Sequence, residues 1–261
     1  MMSALWVSRT GLSAQDKRLT TIANNLANAA TVGFKRDDVV FEDLLYQVRR
    51  QPGAASSQTS QLPSGMQLGT GVRVTGTQKQ FTEGTLQITD RALDIAIDGR
   101  GFFEVLLPDG TTAYTRNGQF HLNSDGELVT AHGLTLQPGI TVPADAQNIT
   151  ISEDGIVEAT MFGQASPTQL GQLQLTDFIN PSGLQVIGSN LFLETAASGT
   201  PQQGQPFNNG LGRTQQGSLE NSNVDTVEEL VNMITTQRTY EMNSKVIATA
   251  DQMLQFITQT L

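Results

Sequence analysis

Residues 3–30 read SALWVSRTGLSAQDKRLTTIANNLANAA, and this run decides the architecture. It holds no proline and only Gly11 interrupts it, so a helix of about 28 residues, ~40 Å long at 1.5 Å per residue, is expected. Leu5, Leu12, Leu19 and Leu26 recur every seven residues, with Ile22 and Ala29 at companion positions, and together they draw one apolar stripe. Gly33 is the expected stop. The other end of the chain mirrors this pattern. Asp225 with Glu228, or Thr226 with Glu229, has the spacing of a capping box, and neither Pro nor Gly follows up to Leu261. There Tyr240, Asn243, Ile247, Ala250, Leu254, Ile257 and Leu261 keep the 3–4 spacing of a helix face, which Leu230, Met233 and Ile234 extend upstream.

The two ends are opposite in sign. Residues 1–36 carry Arg9, Lys17, Arg18, Lys35 and Arg36 against Asp16, net +4. Residues 219–261 carry Arg238 and Lys245 against Glu220, Asp225, Glu228, Glu229, Glu241 and Asp251, net −4. Opposite charge along two apolar-striped helices favours their pairing as a coiled-coil layer, the alternative being that each packs on the chain's own middle. One stripe buried per helix leaves Trp6, Val7, Val227, Val231, Val246 and Met253 facing water. Each is worth about 1.5–3 kcal/mol on full burial, so an isolated helix pair is expected to be marginal and to seek cover from further copies.

Between the helices the sequence is of β type. Leu93, Ile95 and Ile97 alternate with Asp94, Ala96 and Asp98, the period of a half-buried strand; Leu173 and Leu175 alternate with Gln172, Gln174 and Thr176. Asp109-Gly110, Asn117-Gly118, Asp125-Gly126 and Asp154-Gly155 tolerate the positive φ of tight hairpin turns. The expected fold class is therefore α+β, with a central antiparallel, mostly β domain. The boundaries read as 1–35 for the N-terminal helix, 36–80 for an extended connection, 81–211 for the β domain and 212–261 for the C-terminal connection and helix. Residues 52–80 and 196–217, poor in charge and rich in Gly, Gln and Pro, read as extended or loop-like.

Composition removes several function classes. Lys+Arg number 15 against 25 Asp+Glu, for a net charge of −10, and charged residues are only 15% of the 261 residues, below the roughly 25% usual in soluble proteins. An acidic chain with no basic cluster does not bind nucleic acid through phosphate contacts. The absence of Cys excludes disulfides and thiolate sites, and two histidines, His121 and His132, leave little for imidazole chemistry. No cofactor, metal or catalytic site is expected: there is no P-loop and no Gly-x-Ser-x-Gly elbow, and Gly69-Thr70-Gly71 and Gly99-Arg100-Gly101 are too short for a dinucleotide fingerprint. Asn123-Ser124-Asp125-Gly126-Glu127 is expected to be a hairpin turn, not a calcium loop. Asp94, Asp98 and Glu104 are the carboxylates that a glycan hydrolase reading would have to use. The opening residues hold a run of four apolar side chains where a secretory leader needs 7–15, so no cleaved signal peptide is read, and no stretch approaches a membrane span.

Asn24-Asn25-Leu26-Ala27-Asn28, followed by Gly33-Phe34-Lys35, resembles the N-terminal signature of bacterial flagellar rod and hook proteins, with Val32 where a Pro often precedes the Gly. The stretches 93–103, Tyr114-Thr115-Arg116-Asn117-Gly118, 126–130, 190–195, Thr239-Tyr240-Glu241-Met242-Asn243 and 251–254 fit the same family in order, so the resemblance covers nearly the whole chain. Hook members are similar at both ends but usually longer. Most proximal-rod members lack the stretch from Tyr46 through Gln51-Pro52-Gly53 and Leu62-Pro63-Ser64-Gly65 to Val72, so the chain resembles distal-rod members most.

The resemblance implies a structural subunit that stacks into a straight, rigid, hollow helical tube, transmits torque from motor to hook and lets exported subunits pass. Its implied partners are further copies of itself, proximal rod proteins, hook protein, the peptidoglycan and outer-membrane ring proteins and the flagellar export apparatus. Its implied location is a basal body spanning the periplasm, reached without a cleaved signal. A proximal-rod or hook-type axial subunit is the nearest alternative, and a cell-wall glycan hydrolase or glycan-binding module the alternative of another class. The residues assigned to the self-assembly seam are Leu5, Leu12, Leu19, Ile22 and Leu26 with Tyr240, Asn243, Ile247, Leu254, Ile257 and Leu261. Asn24, Asn25 and Asn28 are expected to satisfy backbone groups where helix ends of neighbouring copies meet, or to act as ordinary helix C-terminal caps. The segment marked by Gln51, Pro52, Gly53, Leu62, Pro63 and Gly65 is expected to stiffen the rod.

Overall fold

A computed structural model describes residues 2–53, 63–163 and 166–260; Leu62 and Leu261 fall outside them, as does the side chain of Ile257. The chain divides into two compact units. One comprises Met1–Ala27, Asp37–Gln78 and Asp225–Leu261, and the other Asn28–Arg36 and Lys79–Val224.

The first unit holds both helices, α1 (Met2–Ala27) and α2 (Thr226–Thr260), packed on each other. Asp225 caps α2, its Oδ1 accepting the N–H groups of Val227 (2.8 Å) and Glu228 (3.2 Å), which otherwise have no partner inside the helix. The helices run antiparallel: Gly11 faces Asn243 and Asn25 faces Glu229, so advancing 14 residues in α1 retreats 14 in α2. The helix α1 stops at Ala27, before the expected Gly33. A turn follows, with Thr31 N–H donating to the Asn28 carbonyl at 3.1 Å, and Gly33 sits at φ +71°. Segment 37–78 forms two-stranded pairs, Asp37–Asp43 with Val72–Lys79 and Gln47–Arg50 antiparallel to Met66–Leu68.

The second unit is antiparallel β throughout its described pairings. Its largest sheet, nine-stranded among the described residues, runs in the order Gln185–Gly188, Leu191–Leu193, Thr112–Thr115, Phe102–Leu106, Thr135–Gln137, Leu128–Thr130 and Phe120–Leu122. Leu175–Asp177 joins it beside Phe102–Leu106 and carries Gln202–Gly204 in turn. A three-stranded sheet of Ala146–Ile151, Ile156–Met161 and Thr168–Gln172 stands apart in pairing. The core gathers Ile95, Phe103, Phe120, Leu136, Val157 and Leu175, while Phe81, Phe102, Tyr114, Phe178 and Phe192 form a second cluster of edge-to-face rings.

Three sequence expectations need correction here. Ile95–Asp98 is buried on both faces, not one: Ala96 is small enough to pack, and buried Asp94 accepts a hydrogen bond from Thr89 Oγ1 at 2.7 Å. Residues 196–217 are not merely connective, since Gln202–Gly204 and Arg213–Gln216 are paired strands, the latter against Ile95–Asp98. Asp109-Gly110, Asp125-Gly126 and Asp154-Gly155 do make hairpin turns with positive φ, but Asn117-Gly118 does not. Gly118 is required by contact: a Cβ there would lie 1.6 Å from the Ile95 carbonyl oxygen.

Candidate assembly interface

The apolar stripe expected to form the helix seam is present, but it is not the most deeply buried line. Ile22 is buried; Leu5, Leu12, Leu19, Leu26, Asn243, Ile247 and Leu254 are half-buried, and Tyr240 is exposed. On α2 the buried positions are Glu229, Thr236 and Ala250, which keep a seven-residue spacing with half-buried Asn243 in the remaining place, all of them small or polar. Opposite them α1 buries Ser8, Ala14, Ile22 and Asn25 and brings up Gly11, where an added Cβ would sit 3.2 Å from Asn243 Nδ2. Small residues let the two backbones approach closely, and the larger apolar side chains are thereby pushed to the flanks, where burial is incomplete.

The outer faces are correspondingly apolar. Trp6, Val7, Val227, Val231, Val246 and Met253 are exposed, as the heptad reading expected; Leu230 and Ile234 are exposed as well, contrary to their place on the expected stripe, and so are Met242 and Phe256. Phe256 is 68% exposed and Trp6 56%, values out of keeping with aromatic side chains of a finished surface.

Of the three asparagines, Asn24 is exposed, Asn28 is half-buried, and Asn25 is buried. Asn25 Nδ2 donates to the Asp37 carbonyl (2.8 Å) and to Glu229 Oε1 (3.2 Å), while its Oδ1 accepts the Asp37 N–H (2.9 Å). It therefore ties the last turn of α1 to the strand that begins at Asp37 and to the first turn of α2. Asn28 Oδ1 accepts from Thr31 Oγ1 at 3.2 Å, a local turn contact.

Of the segment expected to stiffen the rod, Gln51, Pro52, Gly53, Pro63 and Gly65 are described. Gly53 takes φ +78° after Pro52, and a Cβ on Gly65 would meet the Arg50 carbonyl oxygen at 2.5 Å. The strands Gln47–Arg50 and Met66–Leu68 are exposed along their whole length, and Leu45 is 91% exposed. At their base Arg73 donates twice to Glu42 Oε2, at 3.0 and 2.7 Å, which holds the Glu42 carboxyl below its ordinary range. Glu42, Leu44, Leu45, Tyr46, Thr70 and Arg73 line a hollow of about 620 Å³.

Sequence reasoning missed an ionic cluster inside the β unit. Lys35, Arg116 and Glu220 are all buried. Lys35 Nζ lies 2.6 Å from Glu220 Oε1 and donates to the Thr82 carbonyl at 2.7 Å. Gly84 N–H also donates to Glu220 Oε1 (3.0 Å), Arg116 Nε stands 3.5 Å from Glu220 Oε2, and Arg116 Nη2 donates to the Gly99 carbonyl at 2.8 Å. Burial pushes the Lys35 ammonium below its usual pKa, with Glu220 opposing that shift and Arg116 adding to it. Gly33 packs beside this cluster, where any Cβ would strike the Asn117 N and Arg116 carbonyl atoms at 2.8–3.0 Å. The cluster fastens segment 28–36 to the β strands. Its sequence signals were that Lys35 and Arg116 stand in two of the signature stretches and that all three are charges set among apolar and glycine residues in a charge-poor chain.

The carboxylates that a hydrolase would need are engaged with neighbours. Asp98 Oδ2 accepts from Arg213 Nε at 2.7 Å, and Glu104 Oε2 accepts from Gln203 (2.6 Å) and Thr176 (3.3 Å). Asn123 Oδ1 accepts the N–H groups of Asp125 and Glu127, giving the expected hairpin turn. His121 and His132 are exposed. No group of three or more potential metal-ligating side chains occurs among the described residues, and no described helix is long and apolar enough to cross a membrane.

The structure thus defines an α+β chain whose antiparallel terminal helices bury small and polar residues at their seam and display large apolar ones outside. Residues 5–35 match the family model for flagella basal body rod protein, residues 96–159 that for the flagellar hook protein FlgE/F/G D1 domain, and residues 215–260 that for the flagellar basal body rod FlgEFG protein C-terminal region. The chain is 52% identical over 259 residues to flagellar basal-body rod protein FlgG of Buchnera aphidicola from Acyrthosiphon pisum, covering 99% of this chain and 100% of that one. It is 48% identical to the FlgG of Caulobacter vibrioides, with 99% of both chains covered, and 38% identical to that of Bacillus subtilis, with 98% and 97% covered. The chain belongs to the flagellar basal-body rod protein family.

Proposed function

We propose that the chain is a structural subunit, not an enzyme, of the distal part of the flagellar rod. Copies stack into a straight, hollow helical tube that transmits torque from motor to hook and leaves a channel for exported subunits. The observation that carries this reading is the apolar outer face of α1 and α2, uncovered in the single chain and too large to leave in water. A head-to-tail contact that does not close on itself covers such a face by adding copies without limit.

In the tube the two helices pair as a coiled-coil layer lining the channel, with the β unit outside. Leu5, Leu12, Leu19, Ile22 and Leu26, with Tyr240, Asn243, Ile247, Leu254, Ile257 and Leu261, lie at or beside the contacts between copies. Asn24 lies on the exposed side, where helix ends of neighbouring copies meet, and Asn25 is buried within its own chain. The segment from Tyr46 to Val72 bridges to adjacent copies and resists bending. Proximal rod proteins below, hook protein above and ring proteins around the tube are the remaining partners, and the setting is the periplasm-spanning basal body.

The test is electron microscopy of the purified protein at rising concentration, beside a chain lacking residues 46–64. Straight tubes from the full chain and curved or absent tubes from the deletion are expected. Identical straight tubes from both would remove the stiffening role. A full chain that stays monomeric at every concentration would remove the assembly role.

A further inference from the structure

The few charges of this chain are segregated in a way that fits one contact between copies. From Leu44 to Val72 the only charged residues are Arg49 and Arg50, and both are exposed on a strand whose side chains are all exposed. From Asn117 to Gly212 there are eight Asp and Glu residues and no Lys or Arg at all. Asp145, Glu153, Asp154 and Glu158 fall on or beside one hairpin of that stretch, the strands Ala146–Ile151 and Ile156–Met161. Asp145 and Asp154 are exposed and Glu158 is half-buried beside the inward-facing Val157 and Ala159. Glu153 already has Arg213 Nη1 at 3.6 Å, so the others carry the uncompensated charge.

We propose that the arginine-bearing strand pair, Gln47–Arg50 with Met66–Leu68, seats along the acidic hairpin 145–161 of a neighbouring copy. This rests on the reading that the segment bridges copies, and it names the surface the segment meets. Copies of net charge −10 repel one another as they crowd round an axis, and a strand whose only charges are cationic, set against a hairpin whose own charges are all anionic, relieves that repulsion at the point of contact. A second copy is the occupant because the complement is supplied by the same chain in equal number, one acidic hairpin for each basic strand. Exposed pairs of this kind set register more than they add strength: each contributes about 1.4- to 5-fold to an equilibrium, and salt weakens it.

The experiment measures the critical concentration for tube formation by sedimentation and electron microscopy, on full-length chains whose fold is checked by circular dichroism. Arg49→Glu with Arg50→Glu is expected to raise that concentration about tenfold or more, since like charges then face each other. Asp154→Lys with Glu158→Lys is expected to do the same, and the chain carrying all four substitutions to recover most of the loss. Arg49→Gln with Arg50→Gln is expected to flatten the dependence on salt. If the arginine reversal assembles at the wild-type concentration, or if the fourfold variant remains as impaired as either pair, the proposed contact is wrong while the axial-subunit reading stands. If the wild type forms no assembly at all, both fall together.

Discussion

Removing Glu220 is expected to cost the β unit far more than removing Lys35, although the two lie 2.6 Å apart and each is buried. Glu220→Leu leaves two cations inside the protein, Lys35 with only the Thr82 carbonyl and Arg116 with only the Gly99 carbonyl among the contacts described above. An uncompensated buried charge of this kind costs about 3–5 kcal/mol. Lys35→Met keeps most of the buried volume and leaves the Glu220 carboxylate with the Gly84 N–H at 3.0 Å and Arg116 at 3.5 Å, so about 1–2 kcal/mol is expected.

In a unit of this size 1 kcal/mol moves the melting temperature by about 2–4 °C, which separates the variants clearly in calorimetry. The pH dependence supplies an independent check. Because the folded pKa of Lys35 lies below its unfolded value of 10.5, the folded state releases its proton first. The penalty for the buried ammonium is fully present below the folded pKa and fades as pH rises towards 10.5, so stability rises with pH across that window. Lys35→Met abolishes that slope. The slope is read as the difference between wild type and Lys35→Met, because Tyr114, whose pKa burial raises above 10.0, contributes a slope of opposite sign over the same range in both chains. Equal losses from Glu220→Leu and Lys35→Met would refute the argument, because Arg116 would then give the carboxylate no support.

Gly118→Ala places a methyl against the Ile95 carbonyl and should lower the unfolding free energy, measured by denaturant titration, by more than about 3 kcal/mol, whereas Gly110→Ala, in open space at φ +82°, should cost only about 1 kcal/mol. Asn25→Ala strips partners from Asp37 and Glu229 and should cost about 2–4 kcal/mol, with faster proteolysis near residues 28–37 as the readout. Asn25→Asp is the sharper variant, since it sets a carboxylate beside Glu229; its thermal stability should improve on acidification towards pH 4, and a flat profile would contradict the contact. Asp225→Ala should cost about 1 kcal/mol of α2 stability by helical circular dichroism, through loss of its cap.

The helices were legible in the chain because their signals are local. The lack of Pro, the 3–4 spacing and the Asp225 cap each act within a turn or two; Trp6, Val7, Val227, Val231, Val246 and Met253 lie outside as expected, but Leu230, Ile234 and Tyr240, read as part of the stripe, lie outside too. What escaped was contact between distant segments. Lys35, Arg116 and Glu220 come together from three places in the chain, and nothing near any of them in sequence names the others. Ile95–Asp98 looked half-buried because Asp94 and Asp98 punctuate it, yet Asp94 is buried with hydrogen-bonding company and Ala96 simply fits. The seam of α2 was misread in emphasis for a related reason: size, not polarity alone, decides which residues reach the line of closest approach. Glu229 and Thr236 look like surface positions until the glycine and small residues of α1 bring a partner backbone within reach, whereas Asn243 and Ala250 already stood on the expected face.

The fourteen-for-fourteen correspondence between the helices also fixes where each runs out. With Gly11 level with Asn243, the first turn of α1 lies level with about residue 252 of α2, whose last described residue is Thr260, so the start of one helix and the close of the other share one end of the pair. Exposed Met253 and Phe256 belong to that end. A bulky fusion attached at residue 1 or at residue 261 would therefore crowd the same small region of the helix pair, and two such fusions would compete for it.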